Sequence, residues 1–197
     1  MNPPPTNERA LRSDAAANRE RVLAAAAAAI TRDGERVPMA TIADEAGVGI
    51  GTLYRHYPTR AALLAALSRR SWDLVLDHAR TAADADGPAV DAVAQFLAQT
   101  IAARDDLILP LHGGPVVLDP ETLALRTEVR ELLAQVLTRG RRDGSIRADA
   151  TATDIVITGA MLARPLPHAT DWDRLARRHV EIYIAGLAPT RSSSRSR

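Results

Sequence analysis

Thr52, Tyr54, Arg55, His56, Tyr57 and Arg60 crowd hydroxyls and cations into one short run, inside a window from residue 46 to residue 72 that contains no carboxylate. Arg55, Arg60, Arg69 and Arg70 are the charged residues of that window, in a chain whose formal net charge is only +1. Donors of this kind, with no acid beside them in the sequence, suit contact with a polyanion rather than bond-making chemistry. Gly47, Gly49 and Gly51 come immediately before, alternating with Val48 and Ile50. Bare backbone there lets a large partner approach closely.

Reactive chemistry is poorly supplied elsewhere. The chain has no cysteine, which excludes disulfides, zinc fingers and thiol nucleophiles. The five histidines are scattered without a His-x-x-x-His pair, and no phosphate-binding glycine loop is present. No catalytic residue, metal site or cofactor is therefore expected, and an enzyme is disfavoured. A helical adaptor between proteins fits the composition but leaves Arg55, His56 and Arg60 without a role. All 25 basic residues are arginine and are spread along the whole chain, so their type reflects base composition rather than selection for phosphate contact. No apolar run approaches the ~20 residues that cross a bilayer. The start, Met1-Asn2-Pro3-Pro4-Pro5, lacks the basic-then-apolar order of a secretory signal. These features lead to the expectation of a soluble, cytoplasmic protein with no membrane partner.

The elements that must position the cationic run are helices. Alanine, leucine and arginine favour them, no period-two alternation persists, and the fold class expected is all-α, with about nine helices. Residues 1–14 are expected to form a flexible arm, residues 15–58 a three-helix head, residues 59–188 a larger helical domain, and residues 189–197, rich in Arg and Ser, a disordered basic tail. Within the head, a first helix over 14–32 ends at Asp33-Gly34. A second begins at Pro38 and ends at Gly47, which can take a left-handed conformation. A third covers 50–57 and stops at Pro58. Thr59 then caps a long fourth helix reaching about residue 83. Further helices are expected over 89–103, 105–112, 119–139, 151–163 and 171–187, separated by Gly and Pro breaks.

Helix, glycine turn and second short helix form the layout of a helix-turn-helix. Ile42, Ala43, Gly47, Val48 and Leu53 have the types and spacing of its structural residues: Ile42 and Ala43 on the inner face, Gly47 in the turn, Val48 at the corner, and Leu53 inside the third helix. Ile50, Gly51, Thr52, Tyr54, Arg55, His56, Tyr57 and Arg60 are the candidate DNA contacts. Thr52, Gly51 and Ile50 stand nearest to base edges and the others nearer to phosphates. Tyr57 shares the spacing of Leu53 and suits the core equally well.

The string Ile42-Ala43-x-x-Ala46-Gly47-Val48-x-x-Gly51-Thr52-Leu53-Tyr54-x-His56-Tyr57-Pro58 closely resembles the DNA-binding signature of TetR-family transcriptional regulators, over about residues 18–65. The resemblance implies a sequence-specific DNA-binding regulator, most often a repressor released from a palindromic operator by a small-molecule effector. It also implies a homodimer whose C-terminal domain binds the effector and dimerises through its last two long helices. Two positions depart from the signature. Gly49 stands where the family often has Ser or Thr, and Ile50 where it often has a basic residue.

Beyond residue 84 the residues supply architecture and little chemistry. Trp72, Phe96, Ile108 and Met161, with Arg104 and His112 as polar anchors, are the candidate lining of a pocket for a mainly apolar effector. Ile155, Gly159 and Leu162 on one helix, and Leu175, His179, Ile182 and Tyr183 on the next, are the candidate dimer interface.

Overall fold

A computed structural model of the protein describes residues 6–109, 119–166 and 169–189, with side chains from residue 16 onward. Among them are eight α-helices: α1 (Thr6–Asp33), α2 (Met39–Glu45), α3 (Ile50–His56), α4 (Arg60–Asp84), α5 (Ala89–Ala102), α6 (Pro120–Asp143), α7 (Ala152–Leu162) and α8 (Trp172–Gly186), with a 3-10 turn at Arg104–Asp106. The all-α expectation holds. Two compact units divide the chain. The first takes the residues up to Ser71 together with a stretch from Asp105, and the second takes Trp72–Arg104 and the chain from Leu118 onward.

In the first unit, α1 presents Val22, Leu23, Ala26, Ala27 and Ile30 to a core completed by Met39, Ile42 and Ala43 of α2, Leu53 of α3, and Leu63, Leu64 and Leu67 of α4. The head therefore extends to Ser71 rather than ending at residue 58, because the first turns of α4 supply part of its core. Helix α1 begins at Thr6, so the arm expected over 1–14 is helical from that residue on. After the three prolines, Asn7 to Ala17 contains no breaker and several strong helix formers. Residues 1–5 lie outside the described residues.

The second unit is arranged around α5, which packs against α6, α7 and α8 and buries Val93, Phe96, Leu97, Thr100 and Ile101. Two of its helices, α6 and α7, start at side-chain caps. The Asp119 carboxylate accepts from the Thr122 backbone N–H at 3.0 Å and from its hydroxyl at 2.7 Å. Thr151 and Asp154 form a reciprocal capping box. Helix α6 runs past Gly140 to Gly144, which closes it at φ +75°. The helix expected over 105–112 is instead a single 3-10 turn followed by non-helical Leu107, Ile108 and Leu109; residues 110–118 lie outside the described residues, as do 190–197 of the tail.

Candidate nucleic-acid interface

Helix α2 ends in a Schellman motif. Gly47, at φ +63°, donates its N–H to Asp44 O at 3.1 Å, and the Val48 N–H reaches back to Ala43 O at 3.0 Å. The motif turns the chain sharply, and α3 restarts two residues later with Gly49 as its N-cap. Ile42, Ala43 and Leu53 are fully buried and Val48 packs against the same core, as their spacing requires. Helix α3 is thus held by its inner side, and its other residues are available to a partner.

Ile50 is 44 % exposed and Tyr54 47 %, although both are large and apolar or aromatic. Gly51 and Arg55 are exposed, and Thr52 and His56 half-buried. Two of the expected contacts are placed differently. Tyr57 is only 5 % exposed and belongs to the head core. One turn after Leu53, it continues the inner face, and burial pushes its phenol pKa up. Arg60 turns away from the outer face and donates to Glu35 O at 2.9 Å and Val37 O at 2.5 Å. Those carbonyls sit in the loop between α1 and α2, where no helix partner exists for them. Arg60→Ala should therefore destabilise the head by about 1–2 kcal/mol, the worth of two such bonds. Chemical denaturation of the purified protein would measure this, and an unchanged midpoint would contradict the stapling role.

The acid-free window is also less cationic in space than in sequence. Arg70 pairs with Glu20 of α1 at 2.8 Å and with Asp106 at 3.2 Å, acids that lie far away along the chain. The outward charge of α3 itself is carried by Arg55, in its last turn beside the His56 ring.

Two family models match the chain: "Bacterial regulatory proteins, tetR family" over residues 22–67, and "Transcriptional regulator SbtR-like, C-terminal domain" over residues 88–189, more than half of the sequence. The chain belongs to the TetR family of transcriptional regulators. The HTH-type transcriptional repressor LfrR of Mycolicibacterium smegmatis is 32 % identical over 130 residues, covering 66 % of this chain and 68 % of that protein. The crystal structure of a TetR transcription regulatory protein from Mycobacterium vanbaalenii superposes with a TM-score of 0.64 at 31 % identity, over 90 % of this chain and 99 % of that one. FadR of Bacillus subtilis, solved in complex with stearoyl-CoA, superposes with a TM-score of 0.66 over 85 % of this chain and 98 % of its own. At 17 % identity, that likeness is one of fold. This TetR-family protein is a DNA-binding transcriptional regulator, and its family is not one of enzymes. No helix among the described residues is long and apolar enough to cross a membrane.

The expected effector-lining residues are divided between the two units. Phe96 is fully buried in the packing of α5, and Trp72 is buried with the Arg126 guanidinium 5.6 Å over its ring. Ile108 belongs to the core of the head, Met161 is 69 % exposed, and His112 lies outside the described residues. An apolar residue on a helix looks the same in sequence whether it lines a cavity or fills a core. Arg104 alone lines an open groove of about 630 Å³, floored by Ala94, Ala98, Ile101, Ala102 and Val180 and rimmed by Asp173, Arg177 and Glu181. Arg104 and Asp173 pair across it at 2.8 Å. The acidic and basic rim from α8 was not anticipated; its only sequence signal is the i, i+4 spacing of Asp173, Arg177 and Glu181.

The candidate dimer residues also divide. Ile155 and Gly159 face inward; a Cβ on Gly159 would stand 3.3 Å from Leu97 of α5. The small residue allows close packing of α7 on α5 within one chain. Leu162, Leu175 and Tyr183 are half-buried, His179 is exposed with its ring Nδ1 2.8 Å from Leu175 O, and Ile182 is 56 % exposed. Ile157, Leu166 and Met161 are further exposed apolar residues. Ile157 and Met161 are one turn apart on α7, opposite its Ile155 side.

Proposed function

We infer that this regulator works as a homodimer that occupies a palindromic operator in double-stranded DNA and represses transcription until a small-molecule effector releases it. The observation that carries this reading is the division of α3 into a buried side, Leu53, and an outward side of Ile50, Gly51, Thr52, Tyr54, Arg55 and His56. Such a helix suits the major groove, and phosphate contacts from Arg55, His56 and Tyr54 would fix its position.

Dimerisation is supported by α7 and α8. Ile157 and Met161 on one and Ile182 on the other leave large apolar side chains uncovered, which a twofold pairing of these helices would bury. The groove along α5 and α8 lies beside other residues of α8, Asp173, Arg177, Val180 and Glu181, so one helix can serve both roles on different faces. With an alanine floor and a charged rim, the groove suits an effector with an apolar body and an ionic group, bound in part by Arg104. An effector acts only through its differential affinity for two arrangements of the chain, one with the heads spaced for DNA and one without.

The test is selection of duplexes from a random library with the full-length protein, followed by in vitro transcription from a promoter carrying the selected sequence. Two chains per palindromic duplex and a fall in transcript are expected. The logarithm of the association constant should also decline linearly with the logarithm of salt concentration. Ile182→Arg should shift the protein to monomer and weaken operator binding by about tenfold or more, as expected for a buried unpaired charge at an apolar interface. A rise in transcript would sink the repressor reading, and binding as single chains to asymmetric sites would sink the dimer.

A further inference from the structure

Ile50 stands between two glycines at which the fold leaves room for a side chain. Gly49 is the N-cap of α3 at φ −64°, an ordinary extended conformation. Gly51 lies inside the helix, where glycine is an unfavourable choice. A Cβ built at either position meets nothing within 4 Å. Gly47, by contrast, sits at φ +63°, and Gly140 is crowded by a side chain of its own chain. The bare backbone on both sides of Ile50 therefore serves neither turn nor internal packing. Its effect is to leave an isoleucine as a lone apolar knob with open flanks, 44 % exposed at the start of α3.

We propose that Ile50 is a specificity-determining residue that seats against the C5-methyl group of a thymine in each operator half-site, with Gly49 and Gly51 kept bare so that the knob reaches the base edge. The proposal rests on the operator-binding reading above. Of the groups in the major groove, the thymine methyl is the apolar one. An aliphatic knob that cannot hydrogen-bond gains from contact with it and loses by facing an amino or carbonyl edge. Charge complementarity favours DNA over a protein as the occupant: α3 itself contains no acid, and its last turn presents the exposed Arg55 guanidinium. Tyr54, one turn after Ile50 and 47 % exposed, extends the same outward stripe toward the sugar-phosphate backbone.

The test uses the duplex selected from a random library, resynthesised with deoxyuridine in place of thymidine at one position at a time. Each replacement removes one methyl and leaves base pairing intact. At one or two positions per half-site, wild-type affinity is expected to fall about three- to fivefold, the worth of one buried methyl. 5-Bromodeoxyuridine, whose bromine is methyl-sized, should restore it. Ile50→Ala, at an exposed position, should leave thermal unfolding unchanged, bind the thymidine duplex more weakly, and no longer distinguish it from the deoxyuridine duplex. Gly51→Ala should unfold at the same or a higher temperature, yet lose at least tenfold in operator affinity, a combination that a structural role does not produce. If wild type binds specifically but no deoxyuridine position matters, or if Ile50→Ala keeps the full methyl dependence, the assignment of Ile50 is overturned while operator binding stands. If no duplex is selected at all, the operator reading fails first and the assignment falls with it.

Discussion

Leu53→Ala is expected to destabilise the DNA-binding head by about 2–5 kcal/mol, the range for removing a fully buried leucine, and to abolish operator binding with it. Leu53 is the one buried residue within α3, and it lies in the core formed with α1, α2 and α4. A seven-residue helix has almost no stability of its own, since nucleation is costly and few bonds repay it. Without Leu53 the outward residues keep their identities but lose the platform that aligns them. Urea unfolding of the full chain, together with binding to the selected duplex, separates the two effects. A loss below about 1 kcal/mol would mean that Tyr57 and Val48 suffice to hold α3.

Gly140→Ala should be the most damaging single methyl in the C-terminal unit. An added Cβ would stand 2.5 Å from Ile146 Cδ1, 2.6 Å from its Cγ1 and 2.9 Å from its Cβ. Rotating the side chain moves the first two atoms, but the third is fixed to the backbone. That backbone is itself anchored, because the Ser145 and Ile146 N–H groups both donate to Gly140 O, at 2.9 and 3.0 Å. Overpacking of this kind costs about 1–3 kcal/mol, to which the strain on these two bonds adds. The double variant Gly140→Ala with Ile146→Ala should lose less than the sum of its single changes, since the second change removes the two nearest of the three crowding atoms and leaves only the Cβ contact. Strict additivity in thermal or urea unfolding would show that the chain after Gly144 yields without cost.

The head was legible in the sequence because its instructions are local. Gly47, Pro58 and Thr59 mark ends and starts within a few residues of where they act; the Ala62 N–H donates to the Thr59 hydroxyl at 3.1 Å. The periodicity of Ile42, Ala43 and Leu53 identifies an inner face whatever it packs against. What stayed illegible depends on partners distant in sequence. Arg60 looked like a phosphate ligand because the carbonyls it satisfies lie more than twenty residues earlier. Arg70 looked like free charge because Glu20 and Asp106 are remote. In α7, apolar residues occur on every side, so spacing identified the helix but not which side, Ile155 or Ile157, faces its own chain. An effector lining was illegible for the same reason: Phe96 and Trp72 are apolar whether they fill space or border it.

Ser71 marks the end of the head along the chain, yet the head is not one continuous stretch. The Ser71 hydroxyl is buried; it accepts from the Ile108 N–H at 2.9 Å and lies within hydrogen-bonding distance of Leu67 O and Asp106 O, while the Ile108 side chain enters the core with Leu63 and Leu67. Hydrogen exchange should therefore find the Ile108 amide among the slow ones, although it belongs to no helix. A fragment cut after Ser71 would carry every residue of the reading surface and still lack a piece of the head's interior, so the sequence that resembles a DNA-binding domain is shorter than the sequence that folds as one.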